Sequence, residues 1–332
     1  MKRLGWLIAG LLIALLIPVF MGGMETLDLL RNFPLMLLLA MFGMVLVGWC
    51  MNTMRLRLLL GDSAQGLGMR KSLGVVMATE FAYCATPGGS GAPITLVALL
   101  SRSGISAARS TAAFATDQLN DLVFFLLALI GILIYALFHQ LSESLEWMLI
   151  ASALLIGAGL CACAGFARYH RRIILFNGRL LKRLKRKAST RIRWARKLLH
   201  FRDALAQTWK MPHRTLLQVF ALTCIHWTLR YSVMYLALQG LGVDIQWAWT
   251  FLVQMLSLSA GQFSLSPGGA GAAELTSAAL LAPMVGKSTA AAAILIWRIV
   301  TYYFYLVAGG PVFMLMVGRP LLAKLLRIKT PA

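Results

Sequence analysis

The sequence predicts an all-α integral membrane protein of about six full spans plus two broken, re-entrant hairpins arranged as an inverted repeat. Three observations predict it. Apolar residues make up 59% of the 332 and charged residues only 13%, whereas an average soluble domain has about 25% of its residues charged. Several apolar runs reach about 20 residues, the length that crosses a bilayer as a helix. A glycine-rich string also occurs twice inside apolar sequence, as Pro87-Gly88-Gly89-Ser90-Gly91 and as Pro267-Gly268-Gly269-Ala270-Gly271. Proline and glycine break helices, and broken helices persist at membrane depth only when buried in protein or lining a watery cavity.

Taken in order, the chain opens with Lys2 and Arg3 before an apolar run from Leu4 to Phe20. No small-x-small cleavage site stands near Met21-Gly22-Gly23-Met24, so this run is expected to be a retained first span and not a signal peptide. Glu25, Asp28 and Arg31 read as a short polar loop, and residues 34–54 as the second span, closed by Arg55 and Arg57. The next apolar stretch, 72–101, holds only 30 residues between charged flanks. Two full crossings need roughly 40 at 1.5 Å per residue. It therefore reads as two half-helices that meet at Pro87 and return to the side they left. Residues 111–138 form a long span carrying Asp117, Gln118, Asn120 and Asp121, and 147–167 cross back.

Residues 168–214 change character, with 16 Lys and Arg against one acid, Asp203. Leucine, isoleucine, tryptophan and phenylalanine are interleaved, which suits helices lying on an anionic leaflet; a solvated basic loop is the alternative. Residues 215–239 cross again and carry Arg230. The second hairpin, 248–284, has its tip at Pro267 and is longer, at 37 residues. A last span runs from Thr289 to about Val317, and 319–332 are a short basic tail. Residues 1–318 thus form a single transmembrane domain.

Charge orients this topology. With both termini cytoplasmic, the inner segments hold 28 of the 32 basic residues, while the outer loops hold Arg31 and Lys287 and five acids. That is the bias of the positive-inside rule, which orients the chain; a bacterial inner membrane is the expected location. It also explains a net charge of +21 without nucleic acid.

The two glycine strings lie in matching frames. From the start of the preceding span to the proline is 53 residues in the first half and 52 in the second. The units, about 34–138 and 215–317, begin on opposite sides, so their topologies are inverted. Inverted repeats with broken helices meeting near the midplane are a recurrent transporter plan.

The candidate chemistry lies in charges that the bilayer should exclude. Glu80, Asp117, Asp121, Arg230, Glu274 and Arg298 all fall in apolar segments, where each would be costly facing lipid. Glu80, Asp117, Asp121 and Glu274 are candidate counter-charges or proton acceptors. Arg230 and Arg298 are candidate phosphate holders. Arg298 is expected to pair with the acidic face of Asp117 and Asp121, which stand four apart on one helix; a structural ion pair is the alternative. At the tips, Gly88, Gly89, Gly268, Gly269 and Gly271 let backbone N–H groups approach an anion at the start of a half-helix. Alternatively they only permit a tight turn and close helix contact. Glu274 could instead cap the second half-helix. No histidine pair has metal-ligand spacing, and the five cysteines form no C-x-x-C pair, so no metal or other cofactor is expected. No G-x-S-x-G, Walker A or H-E-x-x-H string is present, and the reading is of a transporter and not of an enzyme.

These residues resemble the flippase-like family called the lysylphosphatidylglycerol synthase transmembrane region, over about 1–318. Pro267, Gly268, Gly269, Gly271, Glu274 and Arg298 match its more specific motif. In the first half, Arg102, Asp117 and Asp121 sit where that family tends to have polar residues. That half departs from the pattern in having Ala92 after Gly91, where members often have Gly-Glu, and Gln118 near the place where they often have an arginine. The resemblance implies movement of a phospholipid or other amphipathic lipid between leaflets, as a stand-alone member without the soluble synthase domain. Its implied partners are membrane lipids; the composition of 168–214 points to an anionic leaflet surface, and a lipid-synthesis enzyme is a further candidate partner. The alternatives are a secondary transporter of a small solute, a non-transporting accessory of a lipid-synthesis enzyme, or an intramembrane enzyme.

Overall fold

The computed structural model describes residues 2–138, 211–264 and 266–326, with isolated positions between 150 and 199. The expected span at 147–167, the basic stretch from 168 to 210 and the end of the tail lie outside the described residues. Ten α-helices follow in order among the described residues: α1 Lys2–Arg31, α2 Leu35–Leu60, α3 Met69–Cys84, α4 Gly91–Arg102, α5 Ala107–Phe138, α6 His213–Gly240, α7 Trp247–Phe263, α8 Ala272–Val285, α9 Lys287–Arg298 and α10 Phe304–Leu326. A π-helical turn, Ile299–Tyr303, joins α9 to α10. Among the described residues, three helical stretches are long and apolar enough to cross a membrane: Leu35–Ala64, Ala107–Tyr135 and Lys287–Gly318. The chain is a multi-pass, all-α integral membrane protein.

The interrupted helices end where their residues require. α3, α4, α7 and α8 are 16, 12, 17 and 14 residues long. At 1.5 Å per residue they reach roughly 18–26 Å, short of the ~30 Å hydrocarbon core. Pro93 falls in the first turn of α4, where no intrahelical partner is lost. Gly286 (φ 82°) separates α8 from α9, and Gly318 (φ 73°) breaks α10.

The chain forms two compact units. One comprises 1–54, 67–102 and 224–332; the other 55–66 and 103–223. In the first, α1 packs on α8 and α9, α3 on α4 and α10, and α7 on α8. Every residue of α9 from Ala290 to Arg298 is buried, and the alanines at 290–293 allow neighbouring backbones to come close. Trp49 stacks on Phe304 at 5.5 Å and meets Tyr305 edge-on at 5.2 Å.

One expectation needs correction here. Residues 25–31 are not a loop: α1 runs on to Arg31, bent at Gly23 (φ 64°). Their polar groups find partners at the start of α9. Ser288 donates its hydroxyl to Glu25 at 2.6 Å, and Thr26 donates to the Ser288 carbonyl at 3.3 Å. Satisfied polar groups do not force a helix to end.

In the second unit, Arg109 reaches back from α5 to the end of α2. Its Nη2 donates to the carbonyls of Leu59 and Leu60 at 3.3 and 3.1 Å. These are carbonyls that the last turn of a helix leaves open, and a cation is favoured there.

Candidate functional site

The two glycine strings build the same turn. Gly89 N–H donates to Thr86 O at 3.2 Å and Ser90 N–H to Pro87 O at 3.2 Å. One repeat later, Gly269 N–H donates to Ser266 O at 3.2 Å and Ala270 N–H to Pro267 O at 3.1 Å. Gly88 and Gly268 have φ of 55° and 59°, and Gly89 and Gly269 have 65° and 70°, a left-handed region that glycine enters without strain. The tips then meet: Pro87 and Pro267 form an isolated antiparallel bridge. Proline has no N–H, so the pairing amides come from flanking residues.

Glycine is required at this contact for space as well as for conformation. A side chain at Gly268 would run into the ring of Tyr302 and lie 3.0 Å from the Cys84 carbonyl. Tyr302 closes the tip further by donating its hydroxyl to Pro267 O at 3.2 Å. Gln262 donates to the Tyr83 hydroxyl at 2.7 Å, which ties the end of α7 to the end of α3.

The second tip is capped by a carboxylate. Glu274 is 0% exposed and accepts from Gly271 N–H at 2.6 Å, satisfying a donor at the start of α8. Its other oxygen lies 2.6 Å from Arg298 Nε, as an ion pair bent away from hydrogen-bond geometry. The first tip is capped by a hydroxyl, with Thr86 accepting from Gly91 N–H at 2.8 Å.

Arg298 is 2% exposed. It is the last residue of α9, next to the π-turn, an irregularity frequent at functional sites. Its guanidinium lies 5.2 Å from the Tyr302 ring centre, and Nη2 is buried with no hydrogen-bond partner among the described residues. Arg230, half-buried on α6, donates to the Tyr305 hydroxyl at 2.8 Å and covers that ring at 4.9 Å. The two arginines and Gly268 line one small cavity, with room for about a water molecule, together with Tyr83, Cys84 and Gln254. Arg230 also borders a still smaller one, beside His226. Asn52 donates to Glu80 at 3.1 Å and sits 3.5 Å from His226 Nε2. Glu80 is within electrostatic reach of Arg230. The arrangement presents fixed cations to a low-dielectric space, where they attract an anion far more strongly than in water.

The expected partner of Arg298 is corrected by these contacts. Its ion pair is with Glu274, while Asp117 and Asp121 both hold Arg55, at 2.5 and 2.6 Å, in the second unit. Stacked aspartates four residues apart need a cation between them, and α2 supplies it. Arg55 is legible in the sequence only as the flank of a span. Replacing Arg55 by Met is expected to destabilise the protein by about 2 kcal/mol, read from thermal unfolding in detergent. The full 3–5 kcal/mol of a broken buried pair is not expected, because the Asp117 side chain is 32% exposed and water screens it. Adding Asp117→Asn should recover most of the loss.

Sequence reasoning also misses Tyr302, Tyr305, Gln254 and Asn52. Their only signal is a polar group within an apolar run, which is too common to single them out. Among the described residues, no three His, Cys, Asp or Glu side chains gather as metal ligands.

Comparison with known proteins adds the following. The family described as "Lysylphosphatidylglycerol synthase TM region" matches residues 7–309. An Archaeoglobus fulgidus protein named "UPF0104 membrane protein" is 23% identical over 285 residues, covering 83% of this chain and 85% of its own. No solved structure matches.

Proposed function

The chain belongs to the family of lysylphosphatidylglycerol synthase transmembrane regions, and from that premise we propose that it moves a phospholipid or other amphipathic lipid between leaflets, through a polar cavity between two Pro-Gly-Gly hairpins. The family is the membrane part of these synthases and supports a lipid-related transport role. In this reading α3–α4 and α7–α8 re-enter from opposite leaflets as parts of inverted repeats at about 34–138 and 215–317. The termini and the basic stretch 168–214 face the cytoplasm of a bacterial cell. The single transmembrane domain covers 1–318. The basic stretch binds the anionic leaflet and serves as a docking segment for a lipid-synthesis enzyme.

The observation that carries the reading is the Arg298 side chain. It is buried, only partly neutralised by Glu274, and has a free Nη2 beside a cavity that a second arginine shares. An unfilled guanidinium donor in such a place is costly unless an anion visits it. A phosphate bound there leaves its acyl chains in the bilayer. Arg230 holds the same headgroup, and the glycines of the tips add backbone donors. Asp117, Asp121, Glu80 and Glu274 act as counter-charges or proton acceptors as the headgroup passes.

Arg298→Lys tests this. It keeps the charge that Glu274 needs but loses the planar fork that grips a phosphate. Transfer of a fluorescent phospholipid in proteoliposomes is expected to fall by at least about tenfold with little change in thermal stability. Unchanged transfer would remove Arg298 from the mechanism.

A further inference from the structure

Resting on the lipid-transfer reading, we propose that the cavity selects phospholipids whose headgroup carries N–H or O–H donors beside its phosphate over those ending in a fully methylated ammonium, with Gln254 as the specificity-determining residue. The basis is how the neutral polar groups around the cavity spend their protons. Gln254 lines the cavity and is 1% exposed. Its Nε2 donates to the Tyr231 carbonyl at 2.5 Å and to the Thr250 carbonyl at 3.1 Å. An amide has two N–H donors, and both are committed. What remains for the cavity is Oε1, which can only accept.

Two neighbours behave alike. Thr301 donates its hydroxyl proton to the Trp297 carbonyl at 2.7 Å, and Tyr302 donates to Pro267 O at 3.2 Å. Each hydroxyl has one proton, so both meet the cavity as acceptors. Donors at the cavity come from Arg230 and Arg298, and from Tyr83, whose hydroxyl accepts from Gln262 and keeps its own proton; these suit the phosphate. The oxygens beside them need donors from the ligand. A buried acceptor that loses water and gains no donor is unfavourable, and a site built to accept from N–H or O–H discriminates against an analogue lacking it. A primary ammonium or a polyol headgroup brings such donors; a trimethylammonium brings none. Glu80 and Glu274 offset the two guanidiniums, so charge does not exclude an ammonium.

The test is a methylation series with identical short acyl chains: phosphatidylethanolamine, its N-methyl and N,N-dimethyl forms, and phosphatidylcholine. Phosphate and chains stay constant while N–H donors are removed one at a time. Affinity for the purified full-length protein in detergent, measured by native mass spectrometry, is expected to fall along the series. The largest drop, about tenfold or more, should come with loss of the last N–H. Phosphatidylglycerol of the same chains should bind with the donor-bearing lipids. Gln254→Met, which has no carbonyl, should flatten the series to within about twofold. A preference retained in that variant overturns the role of Gln254. Equal binding of ethanolamine and choline lipids by the native protein overturns the donor rule, whether or not the variant folds. Binding of none of the lipids would instead overturn the phosphate reading beneath it.

Discussion

Replacing Glu274 by Ala is expected to destabilise the protein by about 3–5 kcal/mol, more than any other single change considered, because it strands a charge out of reach of water. Glu274 and Arg298 are 0% and 2% exposed. Removing the carboxylate leaves the guanidinium without its counter-ion and Gly271 N–H without its acceptor. The two losses share one side chain, so they do not add in full. Glu274→Gln keeps an acceptor for Gly271 and loses only the charge, so its cost should be intermediate. The pair Glu274→Gln with Arg298→Met removes both charges and should recover most of the stability, since an apolar replacement of a buried pair is often neutral. Lipid transfer should not recover with it. Thermal unfolding in detergent and transfer in proteoliposomes, run on the native protein and these three variants, separate a pair that only braces the fold from one that also receives substrate. A double variant with restored stability and normal transfer would leave Arg298 a structural residue.

A second large effect is expected from joining the tips. An antiparallel pair that lacks its own mutual hydrogen bonds brings its Cα atoms to about 4.5 Å. Prolines are confined to such a pair because they have no N–H. That separation lies within the range of a disulfide, about 4.4–6.8 Å. Pro87→Cys with Pro267→Cys, in a background without the five native cysteines, should therefore cross-link on oxidation. If the headgroup passes between the tips, transfer should fall to the level of empty liposomes when oxidised and return on reduction. Efficient cross-linking with undiminished transfer would mean that the tips stay paired throughout and that the route lies elsewhere. Failure to cross-link would contradict the observed pairing of the tips.

The tips are the most legible part of the candidate site. Pro-Gly-Gly-x-Gly dictates its own turn, because φ near 55–70° at Gly88, Gly89, Gly268 and Gly269 is a local demand that other residues meet poorly. Glu274, three residues past Gly271, can be read as a cap for the same reason. The partner of Arg298 is not legible. Counting about 1.5 Å per residue into each span brings Asp121 and Arg298 to similar depths, and nothing local distinguishes the two aspartates from Glu274. Arg55 escapes notice because an arginine at a span end has an ordinary use, as a flank at the membrane surface. The polar run at Glu25–Arg31 misleads because a helix can carry charge to its end when a neighbour, here Ser288, accepts or donates.

The sequence by itself determined that this chain lives in a membrane, that its two glycine strings interrupt helices, and that charges such as Glu274 and Arg298 must be hidden. Those properties depend on run length, on the backbone limits of proline and glycine, and on the cost of ions in hydrocarbon, all of which act within a few neighbouring residues. Only the tertiary structure decided which hidden charges meet, that the two tips touch at Pro87 and Pro267, and that Arg230 and Arg298 share a cavity. Such contacts join residues far apart in the chain, and they are chosen by how whole helices pack.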